Sequence, residues 1–296
     1  MKWIANLAGL CGMMLLCPDN LVAEVPCRGT GPGPLLLHGG GSSSFAEYAR
    51  LATVYCGRPG LHVLNIVPHD TRDESYREAT AGLSNAWATP GVAQVEVLDP
   101  SRAEIMAEIA QADIIFFPGG DQGQIIDTMR QVPQVLAAIQ RRRREGALVG
   151  GTSAGAAVAG GLMLRGGDTA DLASIRGGGS LVVQGLGFWP DVITDQHFVR
   201  RQRWARLLSA VLDNPRVIGV ALDEDAILLV DGDDAEVFGN GATVVIFDAR
   251  SAHVETVPLG QPQVASGLTL SILASGDVYN WRLGRRALRD RSSRQE

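Results

Sequence analysis

The chain has 296 residues, 46% of them hydrophobic and 20% charged, which is the composition of an ordinary globular protein with room for one large α/β domain or two small ones. Its net charge is −6, from 26 basic and 32 acidic residues, which argues against a nucleic-acid partner. The one basic run, Arg141–Arg144, closes a helical pattern, where cations complement the helix dipole, and reads as a solvated helix end.

At the amino end, Lys2 precedes an uncharged stretch from Trp3 to Cys17, followed by Pro18, Asp19 and a cleavage-like Leu21-Val22-Ala23. This resembles a secretory signal peptide and is too short for a comfortable membrane span. We therefore divide the chain into residues 1–26, a signal peptide and linker, and residues 27–296, a single α/β domain. The expected location is secreted or periplasmic, with the cytoplasm as the alternative. Of the four cysteines, Cys11 and Cys17 fall in the leader. Cys27 and Cys56 are either free thiols or, in an exported chain, a disulfide. No CxxC pair or zinc spacing occurs, and no cofactor or metal is called for.

The Pro/Gly-rich stretch Cys27–Pro34 leads into Leu35-Leu36-Leu37 and a glycine turn, His38-Gly39-Gly40-Gly41. A helical pattern over Phe45–Tyr55 follows, then a buried strand over Leu61–Val67 and an alternating segment over Val92–Leu98. Ser101 with Glu104 has the form of a capping box for a helix over Arg102–Gln111. Asp113–Phe117 reads as a second buried strand, ending in Pro118-Gly119-Gly120-Asp121-Gln122, and one helix is expected from Gly123 to Arg144. Apolar strands without alternation, separated by helices, indicate a mostly parallel sheet covered on both faces. Beyond Glu224, short strands over Ala226–Val230, Val244–Phe247, Val254–Pro258 and Leu268–Leu273 predict a mixed or antiparallel extension.

Residues 146–158, GALVGGTSAGAAV, place one serine among residues that occupy almost no room. Gly151-Thr152-Ser153-Ala154-Gly155 fits the nucleophile-elbow pattern, in which a serine projects from a strained strand-to-helix turn and its neighbours must permit close backbone approach. The bland reading is a phosphate-binding or merely tight turn. A catalytic serine needs a base, and the histidines are His38, His62, His69, His197 and His253. His62 lies in a strand and His69 in a polar loop. His197 stands where the apolar run Val192–Ile193 ends, and Glu224 follows the run Val217–Leu222, so both strand ends are expected to meet Ser153 at the top of one sheet. A competing order takes His38-Gly39-Gly40-Gly41 as an esterase oxyanion motif with Ser153, Asp231 and His253, as in an α/β-hydrolase. It ranks second, because the glycine turn follows the first strand and His253 lies in an alternating stretch.

Four spaced motifs go further. Phe116–Gln122, Gly150–Ala156, Asp195-Gln196-His197-Phe198 and Asp223-Glu224 together resemble cyanophycinase and its serine-peptidase relatives, the aspartyl dipeptidases among them, over roughly residues 35–280. The resemblance implies a fold like the class I glutamine amidotransferases with serine in place of their cysteine, a Ser153–His197–Glu224 triad and a homodimer. It implies hydrolysis of cyanophycin, a polyaspartate with arginine on each side-chain carboxyl, to the β-Asp-Arg dipeptide. Gly120 and Ala154 would supply the oxyanion N–H groups, and Gln122, Asp195, Gln196, Arg201, Arg203 and Arg206 would bind substrate. The segment Gly166–Gly179, with Asp168, Asp171 and Arg176, departs from the family's acidic glycine-rich pattern. A regular helix starting at Gln196 would put Arg201 on the face of His197 and turn Arg203 and Arg206 away, so all three share a site only if the segment from His197 to Arg203 is irregular. A secreted, non-catalytic peptide-binding relative is the alternative outside enzymes.

Overall fold

The computed structural model describes residues 27, 31–41, 45–67, 82, 84–166 and 175–287. The leader, Cys11, Cys17, His69, Asp168 and Asp171 lie outside the described residues. Strands β1 (Leu35–His38), β2 (Leu61–Ile66), β3 (Val92–Leu98), β4 (Ile114–Phe117) and β5 (Leu148–Thr152) run parallel in the order β1-β5-β4-β2-β3. All four residues of β1 and β4 and all six of β2 are buried, which is why these strands are mostly apolar without alternation, with His38, His62 and Asn65 as their buried polar residues.

The chain then builds a second sheet. β6 (Gly160–Leu164), β7 (Val182–Gln184), β8 (Trp189–Asp195) and β9 (Ile218–Leu222) lie in the order β9-β8-β6-β7, with β6, β8 and β9 mutually parallel. β10 (Ile227–Asp231) and β11 (Asp234–Phe238) return to the first sheet, antiparallel beside β1. β12 (Thr243–Asp248) pairs antiparallel with β9, and β13 (His253–Val254) with β14 (Ala265–Ser266). β15 (Thr269–Ala274) closes the second sheet on β12, and β16 (Val278–Asn280) and β17 (Arg285–Ala287) extend the first beyond β11. Among the described residues the strands thus form sheets of nine, six and two strands. The fold is mixed α/β with a parallel centre, as expected, and its antiparallel extension is shared between two sheets. Ser153 and the strands leading to His197 and Glu224 therefore belong to different sheets, where one had been expected.

Helix Phe45–Cys56 buries Tyr48, Ala49, Ala52 and Cys56 on one stripe, packed on Leu36, Leu61, Val63, Ile114, Phe116 and Leu148. The opposite face of the large sheet, with Leu35, Leu37, Leu64 and Ile115, packs with the helices between residues 105 and 144 and with Val192, Val220 and Ile246 of the second sheet. Helix Trp204–Asp213 covers that sheet's far side, against Ile193, Ala221 and Val245. Cys27 and Cys56 are joined as a disulfide.

Three local expectations are corrected. The helix expected over 123–144 is two, Gln122–Gln131 and Pro133–Arg144, because Pro133 has no N–H to donate and its ring displaces the preceding turn. The helix expected from Arg102 starts at Ile105, without a side-chain cap. Asp99 accepts the N–H (2.8 Å) and the hydroxyl of Ser101, which removes Ser101 from capping. Of the strand expected over Val254–Pro258, only Val254 belongs to a paired strand, the two-residue His253–Val254. β6 was not foreseen, because its glycines, Gly160 and Gly161, carry no strand signal.

Candidate active site

β5 ends at Thr152, and Ser153 takes φ 51°, ψ −114° before a single helical turn, Ala154–Ala157. This is the strained corner that the glycine pattern predicts. The reason for small neighbours is direct. A Cβ on Gly155 would stand 1.8 Å from the Phe117 carbonyl oxygen, and one on Gly151 would stand 2.5 Å from the Gly155 carbonyl carbon. Neither position has space for a side chain, so β4, β5 and the helical turn close on one another beneath Ser153. The Pro118-Gly119-Gly120 turn after β4 runs alongside, and a Cβ on Gly119 would lie 3.5 Å from the Ser153 Cβ. Gly120 holds φ 142°.

His197 follows β8 and Glu224 follows β9. Ser153 Oγ lies 2.8 Å from His197 Nε2, and His197 Nδ1 lies 2.8 Å from Glu224 Oε1. The three side chains form one hydrogen-bonded line. Burial pushes the imidazole pKa of His197 below the ordinary 6.5; the hydrogen bond that it donates to Glu224 opposes this, and the positive charges of Arg201 and Arg203 reinforce it. His197 is therefore neutral near pH 7, with Nε2 able to accept the serine proton.

What joins the two sheets at this point is the glycine turn after β1. The carbonyl of His38 accepts the Ser153 N–H at 2.9 Å, that of Gly39 accepts the His197 N–H at 2.9 Å, and that of Gly40 accepts the Asp225 N–H at 2.8 Å. Three consecutive carbonyls thus hold the segments that bear the serine, the histidine and the glutamate. A Cβ on Gly40, at φ 106°, would sit 2.2 Å from His197 Cε1. The imidazole lies directly on the glycine backbone. From the sequence this turn reads as an esterase-like motif, or as a looser form of the glycine-glycine-acid turn of the family that the chain resembles, and neither reading gives it this anchoring role. The available signal was three glycines together at the carboxyl end of a strand.

The esterase order is not assembled. His253 lies exposed in β13, the Tyr55 hydroxyl donates to Asp231 at 2.9 Å, and the imidazole partner of Ser153 is His197. His62 is buried in β2 with Nε2 3.2 Å from Glu108 Oε2.

The segment after His197 is irregular. His197 and Gln202 have φ 48° and 52°, and the helix starts only at Trp204. Val199 and Arg200 donate their N–H groups to Asp223 Oδ1, each at 3.0 Å. Arg203 is 4% exposed and donates to the Gln196 carbonyl at 2.7 Å and to its side-chain oxygen. Arg206 is 3% exposed and grips both carboxylate oxygens of buried Asp195, with Nε 2.8 Å from Oδ2. Asp195, Gln196, Arg203 and Arg206 therefore form one buried network that fixes the histidine loop to its helix. Gln122 is buried, and its amide donates to the Leu164 carbonyl at 3.3 Å. Arg201 acts on the charge balance of His197. Among the described residues no group of three or more His, Cys, Asp or Glu is placed to hold a metal ion, and no helix is long and apolar enough to cross a membrane.

The fold and the site together define a serine-type peptidase on an α/β scaffold. The profile of Peptidase family S51 matches residues 61–238, and the chain belongs to that family. Among curated proteins it is 31% identical over 276 residues to a cyanophycinase of Synechococcus elongatus, covering 88% of this chain and 83% of that one. It is 30% identical over 255 residues to a cyanophycinase of Trichormus variabilis, covering 81% and 83%. Among solved structures, a peptidase from an acI-B1 Actinobacterium superposes with a TM-score of 0.60 at 21% identity, over 86% of this chain and 98% of that one, a likeness of fold.

Proposed function

We propose that this chain hydrolyses cyanophycin or a closely related β-aspartyl peptide to β-Asp-Arg dipeptides, with Ser153, His197 and Glu224 as a catalytic triad. The observation that carries this reading is the continuous line of 2.8 Å contacts from Ser153 through His197 to Glu224. Relatives named cyanophycinase, aligned over most of the chain, support the substrate.

The Ser153 hydroxyl passes its proton to His197 Nε2 as Oγ bonds to the scissile carbonyl carbon. The resulting oxyanion is met by N–H groups of Gly120 and Ala154, on the two turns that converge at Ser153. His197 then returns the proton to the leaving amine, the C–N bond breaks, and an acyl-enzyme remains. Water then bonds to the acyl carbon and gives its proton to His197, which passes it to Ser153 Oγ as the C–Oγ bond breaks and the carboxylate product leaves. Glu224 holds the Nδ1–H tautomer throughout and stabilises the imidazolium that forms in each step.

The buried contacts of Asp195, Gln196, Arg203 and Arg206 favour a framing role for these four, and we place the substrate carboxylate at Arg201. Gln122 is proposed to shape the pocket wall beside the oxyanion turn. A homodimer is supported by β15. It is an edge strand with Leu270 and Ile272 exposed by 49% and 64%, in a stretch from Val264 to Gly276 without one charged residue. Export is the matching proposal for location, supported by the leader sequence and the Cys27–Cys56 disulfide. Sequencing the amino end of the mature protein should give a start near Glu24; intact Met1 in a soluble cytoplasmic fraction would reject it.

The test of function is hydrolysis of purified cyanophycin, read as released dipeptide, with Ser153→Ala, His197→Ala and His253→Ala in parallel. Ser153→Ala and His197→Ala should each lose on the order of 10⁴-fold or more in turnover, with folding intact. His253→Ala should stay near the parent. Labelling of Ser153 by a fluorophosphonate without any peptide hydrolysis would leave a serine hydrolase with another substrate, and no labelling would favour a binding protein.

A further inference from the structure

His38 is completely buried at the end of β1, yet the triad makes no use of its side chain. Its surroundings are those of the site itself. His38 and Thr152 are Cα partners in the parallel register of β1 and β5, so their side chains leave the sheet on the same face. His38 Nδ1 lies 2.6 Å from Thr152 Oγ1, one residue before Ser153. The main chain of His38 accepts the Ser153 N–H. The rings of Phe45 and Tyr48 pack against the imidazole, with centroids 6.5 and 5.9 Å away. The titratable groups that bear on it are Asp225, next to Glu224, and His197.

We propose that His38 and Thr152 form a positioning pair, a buried side-chain clamp that holds the nucleophile elbow from beneath and keeps Ser153 Oγ aimed at His197 Nε2. The proposal rests on the reading of Ser153 as the nucleophile. The physical argument is strain. A serine at φ 51°, ψ −114° is in a sparsely populated conformation, and such a residue persists only where its surroundings over-determine it. Ser153 is held on its carboxyl side by the helical turn, where Ala156 and Ala157 donate to its carbonyl at 3.0 and 2.9 Å. On its amino side the hold is His38, which bonds the Ser153 N–H through its carbonyl and Thr152 through its ring. An apolar side chain at position 38 would fill the same space and leave the Thr152 hydroxyl without this partner. The imidazole stays neutral, its pKa pushed down to about 4 by burial, which outweighs the upward pull of Asp225 and is reinforced least by His197. Across the working range the clamp therefore places no second cation beside the general base.

The test compares Thr152→Val, Thr152→Ser, His38→Leu, His38→Asn and Ser153→Ala in the full chain. Each is read by kcat and KM on cyanophycin, the rate of fluorophosphonate labelling, and a thermal midpoint. Thr152→Val keeps the side-chain shape and removes the hydroxyl. It should lower kcat and the labelling rate about tenfold with KM unchanged, which corresponds to about 1.4 kcal/mol of barrier. Thr152→Ser should restore most of the loss, and His38→Asn, with an amide near the place of Nδ1, should lose less than His38→Leu. Adding His38→Leu to Thr152→Val should cost little more, because both remove one interaction. Folded Thr152→Val with kcat and labelling within threefold of the parent would overturn the proposal, as would failure of Thr152→Ser to restore them. If His38→Leu does not fold, the Val and Ser variants at 152 decide alone. Hydrolysis by Ser153→Ala would refute the nucleophile itself, a result distinguishable from an inactive Ser153→Ala beside a fully active Thr152→Val.

Discussion

Substituting Gly40 by alanine isolates the role of the glycine turn. The new Cβ would stand 2.2 Å from His197 Cε1, 2.5 Å from Nε2 and 2.8 Å from Nδ1. Ordinary contact between such atoms begins near 3.5 Å, so the ring must retreat by more than about 1 Å. The turn is anchored by the carbonyls of Gly39 and Gly40 on two other segments, so the imidazole, reached only through its own loop, is the part that yields. The Ser153–His197 contact of 2.8 Å would then open beyond hydrogen-bonding reach. A displacement of that size costs roughly 10²-fold in turnover. Alanine at φ 106° also carries backbone strain of about 1–3 kcal/mol, which lowers the thermal midpoint without moving the histidine. Gly60→Ala is the control. It has positive φ, 80°, and no atom within 4 Å of its built Cβ, and it lies at the amino end of β2, away from the site. The assay is kcat/KM for dipeptide release with both variants, corrected for folded fraction. We expect Gly40→Ala to lose about 10²-fold and Gly60→Ala to keep parental activity while losing stability. Parental activity in folded Gly40→Ala would refute the argument that the glycine backbone seats the imidazole.

Three more predictions follow from the same geometry. Because burial holds the His197 pKa below 6.5, the acid limb of kcat/KM should fall below pH 6.5, and Arg201→Gln, which removes a positive neighbour, should move that limb to higher pH; a limb unmoved in a titration of the variant would count against this electrostatic coupling. His38 binds fewer protons folded than unfolded between about pH 4 and 6.5, so stability rises with pH across that window and is lost as pH falls through it, by about 3 kcal/mol in all, and urea unfolding of the parent and His38→Asn should differ in slope only there. Arg206→Ala strands the buried carboxylate of Asp195 and should cost about 3–5 kcal/mol in denaturant unfolding, whereas a marginal loss of stability with a large rise in KM would return Arg206 to the substrate.

The parts of this protein that could be read from the sequence are those governed by neighbours along the chain. Unbroken apolar runs such as Ile114–Phe117 announced buried parallel strands, because a strand covered on both faces needs no alternation. The elbow at Ser153 was legible because close approach admits only glycine at 151 and 155, so local sterics leave a local signature. His197 and Glu224 were found as residues following apolar runs and through the resemblance their motifs carry. The break at Pro133 was also within reach, since proline disfavours helix in the residue before it.

Tertiary structure decided what depends on partners far along the chain. Nothing near β8 or β9 states that they leave the sheet of Ser153 and form another, because strand pairing is chosen by the fit of distant faces. Ser101 capped no helix, since Asp99 offered its hydroxyl a nearer acceptor. Arg203 and Arg206 look alike in sequence whether they meet substrate or a buried carboxylate, and only the irregular loop after His197 turned them inward to Gln196 and Asp195. The turn His38-Gly39-Gly40 reads in sequence as an esterase-like oxyanion motif. Folding makes its three carbonyls the common anchor of three segments separated by up to 187 positions between His38 and Asp225, because hydrogen bonds and close packing act through space.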